Sequence, residues 1–175
     1  MIVGILGNIG SGKDTVAEIL IQDYGFYRVS FAGTLKDACA SIFSWDRDAL
    51  EGIDSESRKW RESIDTWWAE RLGIPHLTPR WVLQNIGTDV MRTHFHPDIW
   101  IASAEKKMHD VGGNVVISDV RFPNEIISIH NQTGGSIWRV IRGESPSWWN
   151  LAISASSNSE HSTQAQKELE RLKTQ

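Results

Sequence analysis

The sequence predicts a three-layer α/β fold, in which a mostly parallel sheet is flanked by helices and carries a helical insertion. Short apolar runs alternate with segments of helical spacing along the chain. Residues 114–119 (NVVISD) form a short β-branched run, typical of a parallel strand covered on both faces. The length of 175 residues suits one domain spanning the whole chain.

The first third of the chain predicts a strand, a glycine loop, a helix, a strand and a helix. Residues 2–6 are apolar and stop at a glycine, and residues 13–24 have helical spacing. Residues 26–32 alternate as a second strand, after which Thr34 is positioned to cap a helix through residue 42. This order is that of a βαβ unit.

The remaining chain continues the alternation after an insertion over residues 44–77, which is charged and rich in tryptophan. Glycine pairs and a proline mark the boundaries of the later elements. We expect helices over about 55–72, 79–90, 98–108, 124–132 and 164–173, strands over 114–119 and 136–141, and a mobile loop over about 143–163.

The composition excludes several functional classes. Eighteen Lys and Arg against 22 Asp and Glu give a net charge of −4, which disfavours stable binding to a nucleic-acid polymer. Cys39 is the single cysteine, so no internal disulfide forms, and no signal peptide or membrane span is expected. Nine tryptophans exceed what one small core needs, so some are expected in a pocket or an interface, and a homodimer stays open.

The most specific motif is residues 7–13 (GNIGSGK), which fit G-x-x-x-x-G-K between an apolar strand and a helix. Glycines let backbone N–H groups converge on a phosphate, the helix N-terminus adds partial positive charge, and the lysine bridges β- and γ-oxygens. The motif predicts a P-loop that binds ATP. The candidate ATP-binding residues are Asn8, Gly10, Ser11, Gly12, Lys13, Asp14, Thr15 and Arg142.

Asp14 occupies the position after the lysine, where Ser or Thr usually contacts Mg²⁺, and the hydroxyl follows at Thr15. This G-K-x-T order resembles nucleoside monophosphate kinases of the adenylate-kinase type. Asp14 either reaches Mg²⁺ through water or stabilises the first turn of its helix, where the dipole favours a carboxylate.

A second constellation, Asp119-Val120-Arg121, follows the most buried predicted strand. Ligands of α/β sheets bind at this carboxyl edge. Asp119 is therefore a candidate Walker-B-like acid that binds Mg²⁺, directly or through water, with Arg121 beside it; the alternative is a turn aspartate with a surface arginine. Glu125 either binds a sugar hydroxyl or caps the next helix.

Five short segments and one tryptophan make the chain similar to the bacteriophage deoxynucleoside monophosphate kinases over about residues 1–142. The segments are 11–15 (SGKDT), 31–38 (FAGTLKDA), 51–54 (EGID), 84–89 (Q-x-x-G-T-D), Trp100 and 119–121 (D-x-R). The resemblance implies a P-loop kinase fold, cytoplasmic location (that of the host if phage-encoded) and Mg-ATP-dependent phosphorylation of deoxynucleoside 5′-monophosphates. It implies catalytic roles for Lys13, Asp119 and Arg121, and substrate binding by Lys36, Arg80, Thr88, Trp100, Asp119, Arg121 and Glu125.

Three alternatives stay open. Animal phosphomevalonate kinases share the Ser-Gly-Lys-Asp and Asp-x-Arg elements, so a kinase of another small phosphate ester fits too. A P-loop protein that binds nucleotide without turnover is the second, because the region after residue 141 departs from the family pattern. A polynucleotide-end kinase is the third, and the acidic balance argues against it.

The insertion is expected to close over the acceptor substrate. It mixes cations with flat apolar rings, a combination that can hold a phosphate at one end of a nucleotide and wall its base at the other. The alternative is a peripheral element packed onto the sheet edge or a partner subunit. The side chains concerned are Arg58, Trp60, Arg61, Trp67 and Trp68, and the candidate mobile arginines are Arg58, Arg61 and Arg142.

Overall fold

The structure, a computed structural model, describes residues 1–8 and 10–143. It divides into two units, one made of Met1–Gly7 and Gly12–Val140, the other of Asn8–Ser11 and the chain from Ile141 onwards. All the helices and strands given below belong to the first unit. The predicted loop over 143–163, apart from Gly143, and the predicted helix over 164–173 lie outside the described residues.

The sheet has four parallel strands in the described part of the chain, in the order β2-β3-β1-β4. Their bounds are β1 Ile2–Leu6, β2 Tyr27–Arg28, β3 Val115–Ile117 and β4 Gly135–Arg139. In the register, Ile2 lies opposite both Val115 of β3 and Gly135 of β4. The predicted parallel α/β architecture is confirmed.

Seven α-helices are present among the described residues. They are α1 Lys13–Tyr24, α2 Gly33–Phe43, α3 Ser55–Glu62, α4 Thr66–Leu72, α5 Pro79–Gln84, α6 Ile99–Val111 and α7 Pro123–Asn131, with a 3-10 helix Ala49–Glu51 and a π-helix Asn85–Phe95. Within this part of the chain, none of them is long and apolar enough to cross a membrane.

Helices cover the sheet on both faces, and the alternation of the strands decides which side chains meet them. Val116 of β3 packs with Ala17 and Leu20 of α1, whereas its neighbours Val115 and Ile117 pack with α6 and α7 on the opposite face. All three valine and isoleucine side chains of β3 are fully buried. This produces the predicted three layers.

Gly4 shows how closely α7 approaches the central strand. A Cβ atom at this position would lie 2.6 Å from Ile129 Cδ1 and 2.8 Å from Ile137 Cδ1. Both distances are far below van der Waals contact, so a side chain here would force the Ile129 and Ile137 side chains to move.

Some local predictions were wrong. Strand β2 ends at Arg28 rather than at residue 32, because Ser30–Ala32 turn to donate hydrogen bonds to Asp119. Thr34 does not cap α2; its hydroxyl instead shares a 2.7 Å hydrogen bond with Ser103. The helix predicted over 79–90 passes into a π-helix at Asn85.

The insertion is not a single helix, and it contributes core residues despite its charge. The predicted 55–72 helix breaks because the Asp65 carboxylate caps α4, accepting from Trp68 N at 3.1 Å, and also accepts from Trp45 Nε1 at 2.7 Å. Leu50 is fully buried in a cluster that also includes Trp45, Ala69 and Leu77. The insertion therefore contributes to a hydrophobic cluster that it shares with α2, α5 and α6.

Candidate functional site

The first turn of α1 has the geometry of an anion-binding helix start. Its N-cap, Gly12, adopts φ +93°, a left-handed conformation that favours glycine, and no side chain caps the turn. Lys13 follows with its side chain 23% exposed and its Nζ 3.9 Å from Asp14 Oδ2. Amide groups that no side chain satisfies, a lysine and the helix dipole together favour a phosphate ligand.

The residues at the centre of the glycine loop belong to the second unit. Ser11 N donates to Asn8 O at 3.1 Å, and Gly10 adopts φ +79°. The Ser11 hydroxyl is buried and has no hydrogen-bond partner among the described residues. A buried hydroxyl of this kind fits a ligand that accepts a hydrogen bond, as a phosphate oxygen does. Arg142, in the same unit, is exposed.

Asp14 is tied to the end of β3 by one hydrogen bond. Ser118 Oγ, directly after the strand, donates to Asp14 Oδ1 at 2.8 Å. The Asp14 side chain is otherwise 68% exposed, and Thr15 beside it is exposed too. Both roles predicted for Asp14 fit this geometry, because the carboxylate lies in the first helical turn and keeps free lone pairs.

Asp119 links the end of β3 to the start of α2. Its Oδ2 accepts from Ser30 Oγ at 2.7 Å and Ala32 N at 2.9 Å, and its Oδ1 accepts from Phe31 N at 3.1 Å. Three of about four lone-pair positions on the carboxylate are therefore used. Asp119 holds the turn that precedes Lys36, in addition to any contact with a metal.

Glu125 is almost fully buried, at 2% exposure, and caps α7. Its Oε2 accepts from Arg121 N at 2.7 Å and Phe122 N at 3.0 Å, and its Oε1 pairs with Arg92 Nη2 at 3.2 Å. The helix-capping alternative for Glu125 therefore matches the structure. Arg121 itself is exposed directly after Asp119 and Val120.

Lys36 is the end of a chain of ion pairs. Its Nζ lies 2.6 Å from Glu51 Oε2, and Arg47 pairs with both Glu51 and Asp37 at 2.6 Å. Burial by itself raises the pKa of Glu51, but hydrogen bonds from Lys36 and Arg47 outweigh it and hold that pKa below its ordinary value. The Lys36 ammonium is thus oriented by the 3-10 helix of the insertion.

The arginines of the insertion and of α5 have identified partners. Arg61 Nη1 donates to the carbonyls of Leu50 and Glu51 at 3.1 and 3.2 Å, and Arg80 pairs with Glu62 at 2.7 Å on the surface. Burial, followed by the positive charge of Arg80, lowers the pKa of Arg61. Arg58 likewise donates to carbonyls of the 52–53 turn, at 2.8 and 2.9 Å.

Trp100 and Thr88 meet the π-helix in different ways. Trp100 is buried, and its Nε1 donates to Gly87 O at 2.8 Å, so its ring packs in the core shared with the insertion. Thr88, which follows Gly87 in the π-helix, is exposed. A Cβ at Gly87 would lie 2.5 Å from Leu35 Cδ2, so this glycine allows α2 and the π-helix to pack closely.

Sequence reasoning missed four residues that orient the predicted site. Ser30 and Ser118 bond the two aspartates, Glu51 orients Lys36, and Arg92 neutralises Glu125. Ser118 directly precedes the Asp-x-Arg element, and Glu51 begins the EGID segment, so both were adjacent to recognised motifs. Arg92 had no such signal, because its partner lies 33 residues later.

The carboxylate oxygens near the glycine loop suit a hard divalent cation as ligands. Mg²⁺ binds oxygen ligands, usually one or two carboxylates together with waters and substrate phosphates. Asp14 supplies an exposed carboxylate held by the Ser118 hydroxyl, which fits that pattern. Over residues 1–8 and 10–143, no group of three or more His, Cys, Asp or Glu side chains forms a ready metal cluster.

Comparison with known proteins identifies relatives that are viral. The chain is 33% identical over 156 residues to a protein of Acanthamoeba polyphaga mimivirus named "Putative deoxynucleotide monophosphate kinase", covering 81% of this chain and 74% of that protein. It is 25% identical over 174 residues to the deoxynucleoside-5′-monophosphate kinase of Escherichia phage T5, covering 71% and 70%. No family model matches the sequence. The degree and extent of the first similarity confirm the resemblance in the motifs: the chain belongs to the deoxynucleoside monophosphate kinase family.

Proposed function

We propose that this protein transfers the γ-phosphoryl group of Mg-ATP to the 5′-phosphate of a deoxynucleoside monophosphate. The observation that carries the proposal is the start of α1, where Gly12 and Lys13 begin a turn without a side-chain cap. Asp14 and Ser118 join this turn to the carboxyl end of β3, the edge where ligands of α/β sheets bind. The viral relatives named as deoxynucleotide kinases support the choice of acceptor.

The donor side of the proposed site is the glycine loop. At the start of α1, backbone N–H groups and the Lys13 ammonium hold the β- and γ-phosphates of ATP. Asp14, and Asp119 through water, would hold Mg²⁺, which supplies charge neutralisation between the phosphates. The proposed ATP contacts are Asn8, Gly10, Ser11, Gly12, Lys13, Asp14, Thr15 and Arg142.

The acceptor side of the proposed site lies among α2, α5, the π-helix and the segment after β3. Lys36, Arg80 and Arg121 provide positive charge for the acceptor phosphate, and Thr88 is exposed for a hydrogen bond. Trp100, Asp119 and Glu125 are buried or engaged in hydrogen bonds, and their contacts support a role in shaping the site.

The chemistry needs little covalent assistance from the protein. An oxygen of the acceptor phosphate forms a bond to the γ-phosphorus, the bond from the γ-phosphorus to the β–γ bridging oxygen breaks, and the products are ADP and the deoxynucleoside diphosphate. The attacking phosphate oxygen is already anionic, so no general base is required. Lys13 and Arg121 neutralise the charge that develops on the transferred group.

A coupled assay that detects ADP tests the proposal with a panel of acceptors. The panel contains each deoxy- and ribonucleoside monophosphate, phosphomevalonate and a 5′-hydroxyl oligonucleotide, each with ATP and either Mg²⁺ or EDTA. We expect Mg²⁺-dependent turnover with one or more deoxynucleoside monophosphates. Turnover only with phosphomevalonate or the oligonucleotide, or ATP binding without any turnover, would each replace the proposal by a different function. Lys13→Ala is the control for contaminating kinases. The proposal requires one chain, and the homodimer stays a prediction.

A further inference from the structure

Arg92 is a partly buried arginine on the π-helix that the proposed function does not use. Its guanidinium lies against two residues of the segment that follows β3. Nη2 is 3.2 Å from Glu125 Oε1, and Cζ lies 4.3 Å from the centre of the Phe122 ring. An arginine held by both a carboxylate and a ring face is fixed in orientation and is not simply solvated.

The carboxylate that Arg92 contacts is the one that holds the backbone of Arg121. Glu125 Oε2 accepts from Arg121 N at 2.7 Å and from Phe122 N at 3.0 Å. Because Glu125 is 2% exposed, its negative charge depends on protein partners, and Arg92 is its cationic partner. Removing Arg92 would leave a buried carboxylate without a counter-charge and weaken its hold on both amides.

The Arg121 guanidinium has no hydrogen bond or ion pair with another side chain in the described part of the chain. The backbone from Asp119 to Phe122 therefore sets the position from which this side chain projects. Asp119 fixes the first part of this segment against residues 30–32, and Glu125 fixes the second part. A change at Glu125 moves the backbone from which the Arg121 side chain projects.

The same π-helix presents Thr88 and is anchored by Trp100 through Gly87. Thr93 Oγ1 donates to Thr88 O at 3.2 Å, so Thr88 and Arg92 belong to one hydrogen-bonded segment. We infer that Arg92 is a positioning residue, which acts through Glu125 to hold Arg121 toward the transferred phosphoryl group. The inference rests on the proposed function for the role of Arg121, and on the observed contacts for the link to Arg92.

A double-mutant cycle tests whether Arg92 acts through Arg121. The four proteins are wild type, Arg92→Met, Arg121→Met and the double variant, assayed for kcat and for KM of each substrate. We expect Arg92→Met to lower kcat by about tenfold or more in the wild-type background, and to change kcat by less than about twofold once Arg121 is absent. KM for Mg-ATP should stay within about twofold, because the donor loop is not touched. Arg92→Lys, which keeps the charge without the planar fork, should retain an intermediate kcat.

Amide hydrogen exchange without any ligand provides a second readout that does not depend on turnover. In Arg92→Met, the amides of Arg121 and Phe122 should exchange faster than in wild type, because Glu125 no longer holds them firmly. Arg28→Met, which removes an arginine paired with Glu18 on the surface, is the matched control and should leave these two amides unchanged. If Arg92→Met does not fold, Arg92→Lys replaces it in both measurements.

The outcomes separate the inference from the proposed function. Equal losses of kcat from Arg92→Met with and without Arg121, or unchanged exchange at the two amides, would overturn the positioning role even in an active kinase. A wild-type protein without kinase turnover would refute the proposed function and the catalytic part of the inference. Faster exchange in the variant would then support only the structural link from Arg92 to Arg121.

Discussion

Ser118 Oγ donates a 2.8 Å hydrogen bond to Asp14 Oδ1, joining the end of β3 to the first turn of α1. The next residue, Asp119, is directed to the other neighbour of β3, where it accepts three hydrogen bonds from residues 30–32. Two successive residues after one strand therefore fix two different helix starts. Asp14 keeps most of its lone pairs free, whereas Asp119 uses most of its own.

This difference predicts distinct phenotypes for the two aspartates. Asp14→Asn should shift the Mg²⁺ titration of activity to higher concentration, because it removes the exposed carboxylate that directly follows Lys13. Its thermal midpoint should stay close to that of wild type, since the carboxylate makes one side-chain hydrogen bond. The measurement is turnover against free Mg²⁺, together with the affinity for an unreactive ATP analogue in Mg²⁺ and in EDTA.

Asp119→Asn is the matched comparison. Its amide replaces an oxygen that faces donors, so at least one partner loses its acceptor, and the fold should lose about 1–3 kcal/mol of unfolding free energy. A large loss of Mg²⁺ dependence in Asp119→Asn, with none in Asp14→Asn, would assign the main metal contact to Asp119 instead.

Lys13→Ala should lower turnover by at least about 10² to 10³-fold, because in the proposed site the ammonium neutralises the charge that develops during transfer. The side chain has one ion pair, to Asp14 at 3.9 Å, among the described residues, so its removal should not unfold the protein. Coupled turnover and circular dichroism melting measure the two effects. A variant that keeps more than a tenth of wild-type turnover would contradict the role given to the loop lysine.

The ion pairs around Glu51 should make stability depend on pH at the acid end. Hydrogen bonds from cations outweigh burial and lower the pKa of Glu51 and of Asp37 in the fold. A lowered carboxyl pKa adds stability that is fully present above the pKa of the unfolded chain, about 4 for these side chains, and is lost as the pH falls from there through the lower pKa of the fold.

Arg47→Met removes the partner that the two carboxylates share, so it should destabilise the protein at pH 7 and have a smaller effect near pH 3.5. Urea unfolding at the two pH values measures this difference. The exposed pair of Arg28 and Glu18 provides the control, and Arg28→Met should cost only about 0–1 kcal/mol at pH 7. If Arg47→Met lowers the free energy of unfolding equally at the two pH values, the arginine contributes by packing alone.

The parts of the fold that could be predicted are those governed by local pattern. The bounds of β1 and α1 match the prediction because an apolar run, glycines and helical spacing act within a few residues. The failures involve distant partners: the Asp65 cap that divides the insertion also bonds Trp45, 20 residues earlier. The π-helix and the Arg92 to Glu125 pair likewise depend on packing between elements, which no local pattern encodes.

The insertion provides the last prediction, because two of its tryptophans, Trp45 and Trp68, are packed against Phe43 of α2. Phe43 stacks on Trp45 with ring centroids 4.4 Å apart and meets the edge of Trp68, whose Nε1 donates to Phe43 O at 3.0 Å. Arg58 and Arg61 both bond carbonyls of residues 50–53. These contacts favour the alternative of a static packing element over local closure.

We therefore expect amide exchange across residues 55–72 to be equally slow with and without a deoxynucleoside monophosphate and an unreactive ATP analogue. Trp67, at 61% exposure, is the most exposed tryptophan of the insertion, so its replacement by Phe should reduce any ligand-induced change in fluorescence that closure of the insertion produces. Exchange that slows on ligand addition, with a fluorescence change that Trp67→Phe reduces, would establish the closing lid instead. If amide exchange is the same with and without ligand, the acceptor must be bound by groups fixed on the rest of the fold. Lys36, Arg80 and Arg121 would then supply the positive charge that faces the acceptor phosphate.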